Sequence, residues 1–592
     1  MLANGRRRWS MGSLVWFLVT VAGAAQGATT PPAGVLDGPA ELPRAHVKSS
    51  LADTPTPGKV RRVRTSDELR RALDDLACGE TLELEAGAVF SGRFLVPAKH
   101  CDDAHWITVR TSTPDSGLPP EGTRLTPCYT GLASLPGRPT YVCPTPKNVL
   151  ARIEFPNGGK GPLAFASGAN HYRLIGLEIT RSASMVAVSN LVTIDPDDTA
   201  DHIVFDRCWL HGNANAETTR GIALGGSTDV AIVESYFSDF HCIAKSGSCS
   251  DAQAISGGLG AKPMGPYKLE NNFFEASGED IIFGGGAATS VPHDIEIRRN
   301  HLFRPLTWMR GDPAFVGGPD GNPFIVKNIF ELKNGERVLF ENNVLENCWG
   351  GFSQEGYAVL LTPKSQGHNL CPDCRVLDVT IRNSEIRNVG AGFQLANVKS
   401  DFGALAKDGG RYSIHDVLIE NLDGERFRGH GTLFEIISAK GMALHDLSIS
   451  HVTGEASRSL FILGASVDDS KMSNFKFTNN LVGFGRAQIL SAGGGPNNCA
   501  FKPDAQGTEG VFKSCFSSPE VSGNVVIGGG DRWPTKNTLV KKRSDVGFLA
   551  PEGDQSQGYR LPPGHQLKKV STDEKDVGAD LDALATALRD VR

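Results

Sequence analysis

The sequence predicts an all-β chain folded as a right-handed parallel β-helix, a solenoid of stacked coils with an N-terminal capping helix and long loop insertions. Three observations predict it. The first is a recurring strand phrase: RVLFENNVLEN from Arg337, YKLENNFFEAS from Tyr267, DIEIRRNHLFR from Asp294, DVTIRNSEIRN from Asp378 and NFKFTNNLVGF from Asn474. Looser copies begin at His171, His202, Asp229, Asp416 and Asp446. Copies lie about 27–30 residues apart where nothing intervenes and about 37–44 where an insertion does, a period that means stacked supersecondary units. The second is alternation: Val338 and Phe340, or Ile295 and Ile297, mark half-buried strands. The third is Asn at the corner. Asn272, Asn300, Asn343 and Asn480 share one place in the phrase, where Asn tolerates a left-handed turn and its amide can bond along a ladder of equivalent amides.

Taken in order, residues 1–27 read as a secretory signal, with Arg6, Arg7 and Arg8, an apolar run from Leu14 to Ala22, and small residues through Ala25-Gln26-Gly27. The expected address is therefore secreted or periplasmic. Residues 28–58, rich in Pro, Ala and Gly, read as a flexible linker. The solenoid is expected over 59–530. Thr65-Ser66-Asp67-Glu68 is a helix N-cap signal, and Leu69, Ala72, Leu73 and Leu76 give that helix an apolar face to close the open end of the stack. Residues 114–165 read as an irregular excursion. Insertions at 306–325, 362–375, 397–412 and 493–519 are long enough to wall a groove. Residues 531–592 read as an irregular C-terminal closure with a short helix near Leu581–Leu588.

The 60 basic and 66 acidic residues leave a net charge of −6, so neither a nucleic-acid nor a membrane-surface footprint is visible. The signal's apolar run is short and no second span follows it, so a mature chain without a membrane span is expected, and a monomer. The 12 cysteines suit an oxidising compartment. Ten lie as close pairs, Cys78 and Cys101, Cys128 and Cys143, Cys242 and Cys249, Cys371 and Cys374, Cys499 and Cys515, and read as staples. Cys208 and Cys348 read as buried thiols.

Each phrase is followed by a further strand: RGIALGG from Arg220, QAISGG from Gln253, EDIIFGGG from Glu279 and NIFELKN from Asn328. Aligning Ile222, Ile255, Ile282 and Phe330 as the inward residues stacks outward side chains on coils about 4.8 Å apart. Glu279 then neighbours Lys327, and Arg220 and Gln253 neighbour Asp280 and Asn328. Glu331 and Lys333 lie one step further, and Asp251 just before. The insertion that carries Trp308 and Arg310 borders this patch.

A polysaccharide is the partner such a patch suits. In β-elimination on a uronate, Lys327 or Lys333 is the candidate base, with Glu279, Asp280 and Asp251 holding a Ca²⁺ ion. In glycoside hydrolysis Glu279 and Glu331 are the paired carboxyls. Trp308, Arg310, Arg220, Gln253 and His211 are candidate substrate contacts. A solvated ladder in which Glu279 pairs with Lys327 and Glu331 with Lys333 accounts for the same residues, and with it a non-catalytic glycan-binding or cell-envelope protein.

The stretches TRGIALGG, SDAQAISG, GPYKLENNFFEASGEDIIFGG, VPHDIEIRRNHLFRPLTW, VKNIFELKNGERVLFENNVLENCW and YAVLLTPKSQ resemble exported bacterial β-helix repeat proteins of the pectin lyase-like superfamily. That resemblance implies a fold and a polysaccharide bias, not a reaction. Asn272-Phe273-Phe274-Glu275, Gly278-Glu279-Asp280-Ile281-Ile282 and Ile297-Arg298-Arg299-Asn300 are similar to the chondroitinase B and alginate lyase family. This likeness implies Glu279 as a Ca²⁺ ligand and Arg298 or Arg299 as the catalytic Arg. The family's Lys position falls in Gly284-Gly285-Gly286, a departure from its pattern.

Overall fold

The computed structural model describes residues 34–143, 145–530, 532–550 and 558–592. The signal reading over 1–27 lies outside the described residues. Parallel strands pair coil to coil throughout the stack. In one coil Ala169–Ile175, Leu177–Arg181 and Val188–Thr193 follow one another, and they pair in register with Ala200–Asp206, Trp209–His211 and Thr218–Ala223 of the next. The chain is thus a parallel β-helix with three strands per turn. Its third strands form a 12-stranded sheet running from Phe94–Val96 to Ala487–Ser491. Inward apolar residues fill the bore: Ile222, Ile255, Ile281 and Phe330 are all fully buried.

The corner asparagines are a ladder. Backbone N–H and Nδ2 of Asn272 both donate to Asn300 Oδ1, at 2.9 and 3.0 Å, and those of Asn300 donate to Asn343 Oδ1 at 2.9 and 3.1 Å. Asn480 donates in the same way to Asn524. The left-handed turn is made one residue earlier, at Asn271, Arg299, Asn342 and Asn479, with φ of 55–60°. The two reasons for Asn at the corner therefore belong to adjacent residues.

The helix Ser66–Asp75 caps the stack, with Thr65 and Glu68 forming a reciprocal capping box and Leu69 and Leu73 buried. All ten paired cysteines form the five expected disulfides, while Cys208 and Cys348 are buried thiols. Among the described residues no helix is long and apolar enough to cross a membrane.

Two boundaries differ from expectation. Residues 35–50 are not a free linker but a strap laid across the coils. The N–H of Glu41 donates to Asp378 at 3.0 Å and that of Arg44 to Asp294 at 2.9 Å, Asp37 pairs with Arg382 and His415, and Val47 is buried beside Trp106 and Val204. Composition suggested a chain with nothing to bury, but the coils present carboxylates and cations that satisfy its backbone and charges. The excursion ends earlier than 165, because Ala151–Phe155 and Gly159–Phe165 already pair within the stack.

Candidate functional site

Four neighbouring strands of the 12-stranded sheet carry the site: β1 (Thr218–Ala223), β2 (Gln253–Gly257), β3 (Glu279–Phe283) and β4 (Phe330–Leu332). Their register stacks Arg220 on Gln253 and Gln253 on Glu279. A second column runs Ala223, Ser256, Ile282 and Glu331. The inward residue of β3 is therefore Ile281, not Ile282. The two isoleucines are indistinguishable by hydropathy, and the one-residue slip exchanges the faces on which their neighbours stand.

With that correction Glu279 joins Arg220 and Gln253, and Asp280 leaves them. Gln253 Nε2 donates to Glu279 Oε2 at 3.0 Å. Lys327 Nζ lies 2.9 Å from Asp251 Oδ1 and 3.7 Å from Glu279 Oε1. Lys333 Nζ lies 3.1 Å from Glu331 Oε1, which also accepts from Thr362 Oγ1 at 3.2 Å. The cluster is graded in depth: the side chains of Glu279 and Glu331 are 0% and 1% exposed, those of Lys327 and Lys333 13% and 12%, and that of Asp251 31%. Glu279 Oε1, Glu331 Oε2, Gln253 Oε1 and Arg220 Nε are buried without a hydrogen-bond partner in the protein.

Burial, and then the Asp251 carboxylate beside it, push Glu279 well above the ordinary carboxylic range. Asp251 goes the other way: burial would raise it, but the Glu279 carboxyl and the Lys327 ammonium beside it hold it low. The pair is thus pushed apart, Glu279 toward its neutral form and Asp251 toward its ionised form. Burial would lower Lys327, but Glu279 and Asp251 raise it, and Lys333 is raised against burial by Glu331 and Glu279. Both lysines thus have carboxylates beside them that favour the ammonium form, against the base role expected of one of them.

The other expected residues are placed elsewhere. Asp280 turns to the opposite side, where its Oδ1 accepts the Ala276 N–H at 2.6 Å and Arg304 is near. Asp251, Glu279 and Asp280 do not converge, and the Lys327 ammonium already lies between the first two. These residues do not fit a Ca²⁺ site. Arg298 belongs to the larger sheet, in a row with Glu296 at 3.3 Å and Glu341 at 3.4 Å, and is not a cluster member. Trp308 is 1% exposed, edge-on to His241 and Phe324 under its own insertion, so it offers no face to a sugar. A Trp in a Gly- and Pro-rich loop looked like a surface platform, yet it is the core of that loop. Arg310 is exposed, and its carbonyl accepts from Arg428 at 2.9 Å. His211 lies in the larger sheet, bonded to Glu178 at 2.9 Å and stacked on Trp209. Beside it Arg152, Glu178, Trp209 and Asn148 line a separate cavity of about 270 Å³.

Gly284 leaves no room for a longer side chain. Its φ is +99°, and a Cβ there would come within 2.9 Å of Lys333 Cβ and of the Asn334 backbone. The Lys333 side chain from the next coil crosses this gap, its Nζ 3.9 Å from where a Gly285 Cβ would stand.

No family model matches the chain, and no curated protein does. Among solved structures it is similar to a mannuronic acid specific polysaccharide family 6 lyase from human gut microbiota (11% identity, 90% of this chain and 99% of that one, TM-score 0.48). It is similar also to the catalytic domain of a GH87 alpha-1,3-glucanase in complex with tetrasaccharides (10%, 81% and 70%, 0.48). A third is an alginate lyase from Paenibacillus sp. str. FPU-7 (14%, 74% and 98%, 0.30). At these identities and TM-scores the likenesses say nothing about the chemistry of this chain.

Proposed function

We propose that the chain is a carbohydrate-active enzyme that cleaves an acidic polysaccharide along the β1–β4 face. Glu279 gives the proton it shares with Asp251 to the leaving glycosidic oxygen, the proton of the attacking water passes to solvent and the pair is re-protonated from there, and Arg220, Lys327 and Lys333 hold the sugar carboxylate. The observation that supports this most is the Asp251–Glu279 pair, two carboxyls in contact and set among three cations. Environments that push two carboxyls apart in pKa are how acid and base roles are assigned. Arg220, Lys327 and Lys333 set three basic side chains on this face, an arrangement suited to the carboxylate of a uronate. Glu279 is reached past Lys327, and an arriving carboxylate competes for that ammonium and uncovers the acid.

β-Elimination on the same substrate class is the second reading. Lys333 lying across Gly284–Gly286 favours it, because a cation there can neutralise the uronate carboxylate. Purified mature protein is to be screened on pectate, alginate and glycosaminoglycans, following both reducing ends and absorbance near 232 nm from unsaturated uronate. Reducing ends without that absorbance are expected. Absorbance rising with them would give the reaction to elimination. No cleavage of any acidic glycan would leave a binding or envelope role.

A further inference from the structure

A second group of polar side chains lies on the larger sheet, not the 12-stranded sheet that carries the carboxyl cluster. His171 and His202 occupy the same left-handed corner of successive coils, with φ of 56° and 51°. Their strands pair Asn170 with Asp201 and Tyr172 with Ile203, so the two imidazoles stack, 4.3 Å apart and 5° from parallel. Asp103 faces both: its Oδ1 is 3.2 Å from His171 Nε2 and 4.0 Å from His202 Nε2. The ligand atoms of the three all lie within 4.8 Å of one another.

We propose that Asp103, His171 and His202 form a binding site for a divalent transition-metal ion of the Zn²⁺ class. Three features of the site argue for it. First, the spacing fits. A tetrahedral ion with bonds of about 2.0–2.1 Å needs its ligand atoms roughly 3.3 Å apart, and the two distances to Asp103 bracket that value. A small tilt of the stacked rings brings the two nitrogens together.

Second, the nitrogens are set for it. His202 Nδ1 lies 2.6 Å from Asp201 Oδ1. A carboxylate there accepts a hydrogen bond from Nδ1–H and leaves Nε2 with its lone pair toward the site, which is the arrangement that orients metal-binding histidines. His171 is 6% exposed, and its Nδ1 is buried without a partner, so Nε2 is the nitrogen it offers.

Third, the site is rigid. The Asp103 loop is tied by the Cys78–Cys101 disulfide, by the Cys101 N–H to Asn170 Oδ1 at 3.4 Å, and by the Trp106 N–H to the Pro55 carbonyl at 2.9 Å. Trp106 packs edge-on against both imidazoles, 5.0 and 6.1 Å between centroids, and is itself 3% exposed. Asp103 is exposed, which leaves an entry path. Two imidazoles and a carboxylate suit Zn²⁺, Cu²⁺ or Ni²⁺ better than Ca²⁺ or Mg²⁺. The other compatible group, Glu217 with Cys242 and Cys249, has both sulfurs in a disulfide and does not compete.

The test is Zn²⁺ titration of the untagged full chain after chelator treatment, by calorimetry, with Co²⁺ absorption as an independent reading of the ligand set. One ion per chain is expected, with a rise in thermal midpoint on binding. Asp103→Asn and His202→Ala should abolish it, and Asp201→Asn should weaken it by about 10- to 100-fold by freeing the His202 tautomer. Because Asp103 is exposed, Asp103→Asn keeps the fold and reports on binding alone. Failure of the wild-type chain to take up one Zn²⁺, or unchanged binding in Asp103→Asn and His202→Ala, would overturn the proposal.

Discussion

Asn271 and Asn272 are neighbours of one type with different tasks. Asn271 takes the left-handed backbone that turns the chain, and Asn272 extends the buried amide ladder that binds one coil to the next. The pattern NN in the strand phrase therefore encodes a corner twice, which is why the repeat was so legible. Ladder loss is measurable. Asn300→Ala strands the Asn272 N–H and takes the Nδ2 donor from the Leu269 carbonyl in a dry corner, and a buried unsatisfied group costs about 1–3 kcal/mol. We expect the denaturant midpoint to fall accordingly, whereas Asn342→Gly, which keeps the turn, should change it little. At Glu279 and Asp280 the sequence was legible only to within one residue. Both are acidic and lead into Ile281-Ile282, and nothing local says which faces out. The pairing of β3 with β2 decides it, and that is a contact between residues distant in sequence.

Among the elements, the strap over residues 35–50 was the least legible. Its hold depends on carboxylates and cations hundreds of residues away. It is also where pH should act. Burial alone would lower His415, but its hydrogen bonds to Asp37 and Asp416 outweigh that and raise it from an ordinary 6.5 to about 9. Burial would raise Asp37, yet His415 and Arg382 bring it from 3.8 to about 2. A raised histidine stabilises fully below its unfolded pKa and stops doing so as pH passes its folded value. A depressed carboxylate stabilises above its unfolded pKa and stops as pH falls through its folded one. The strap is therefore held most firmly between about pH 4 and 6.5, and loosens toward about pH 9. Hydrogen exchange corrected for intrinsic rates should show Leu36–Val47 losing protection over that upper interval. In His415→Gln the protection should be low and flat with pH, and full protection in that variant would contradict the pairing.

On the scale of the whole molecule, the strap and the C-terminal segment return to the middle of the stack. The strap crosses coils at Asp294, Asp378 and His415, and the C-terminal helix with the turn after it buries Leu584, Leu588 and Val591 against Val344 and Leu418. A simple solenoid couples only nearest neighbours, so these clamps tie coils that the stack leaves independent. Truncation after Asp580 should cost several kcal/mol, at about 1.5–3 kcal/mol for each large buried side chain, and should show as a lower thermal midpoint of the central coils. The repeat told the fold, but not that its tail folds back, since the tail's apolar residues have no period to match. The same stacking sets Arg220, Gln253, Glu279 and Glu331 on one face and makes Glu279 the acid of the proposed reaction. The most direct test of that role is the cleavage rate of Glu279→Gln beside the wild-type chain on the acidic glycan the screen selects, with substrate binding measured in parallel. A loss of roughly 10²- to 10⁴-fold in rate, the usual worth of a positioned proton donor, with binding retained, is the expected result. An unchanged rate in Glu279→Gln would contradict the account.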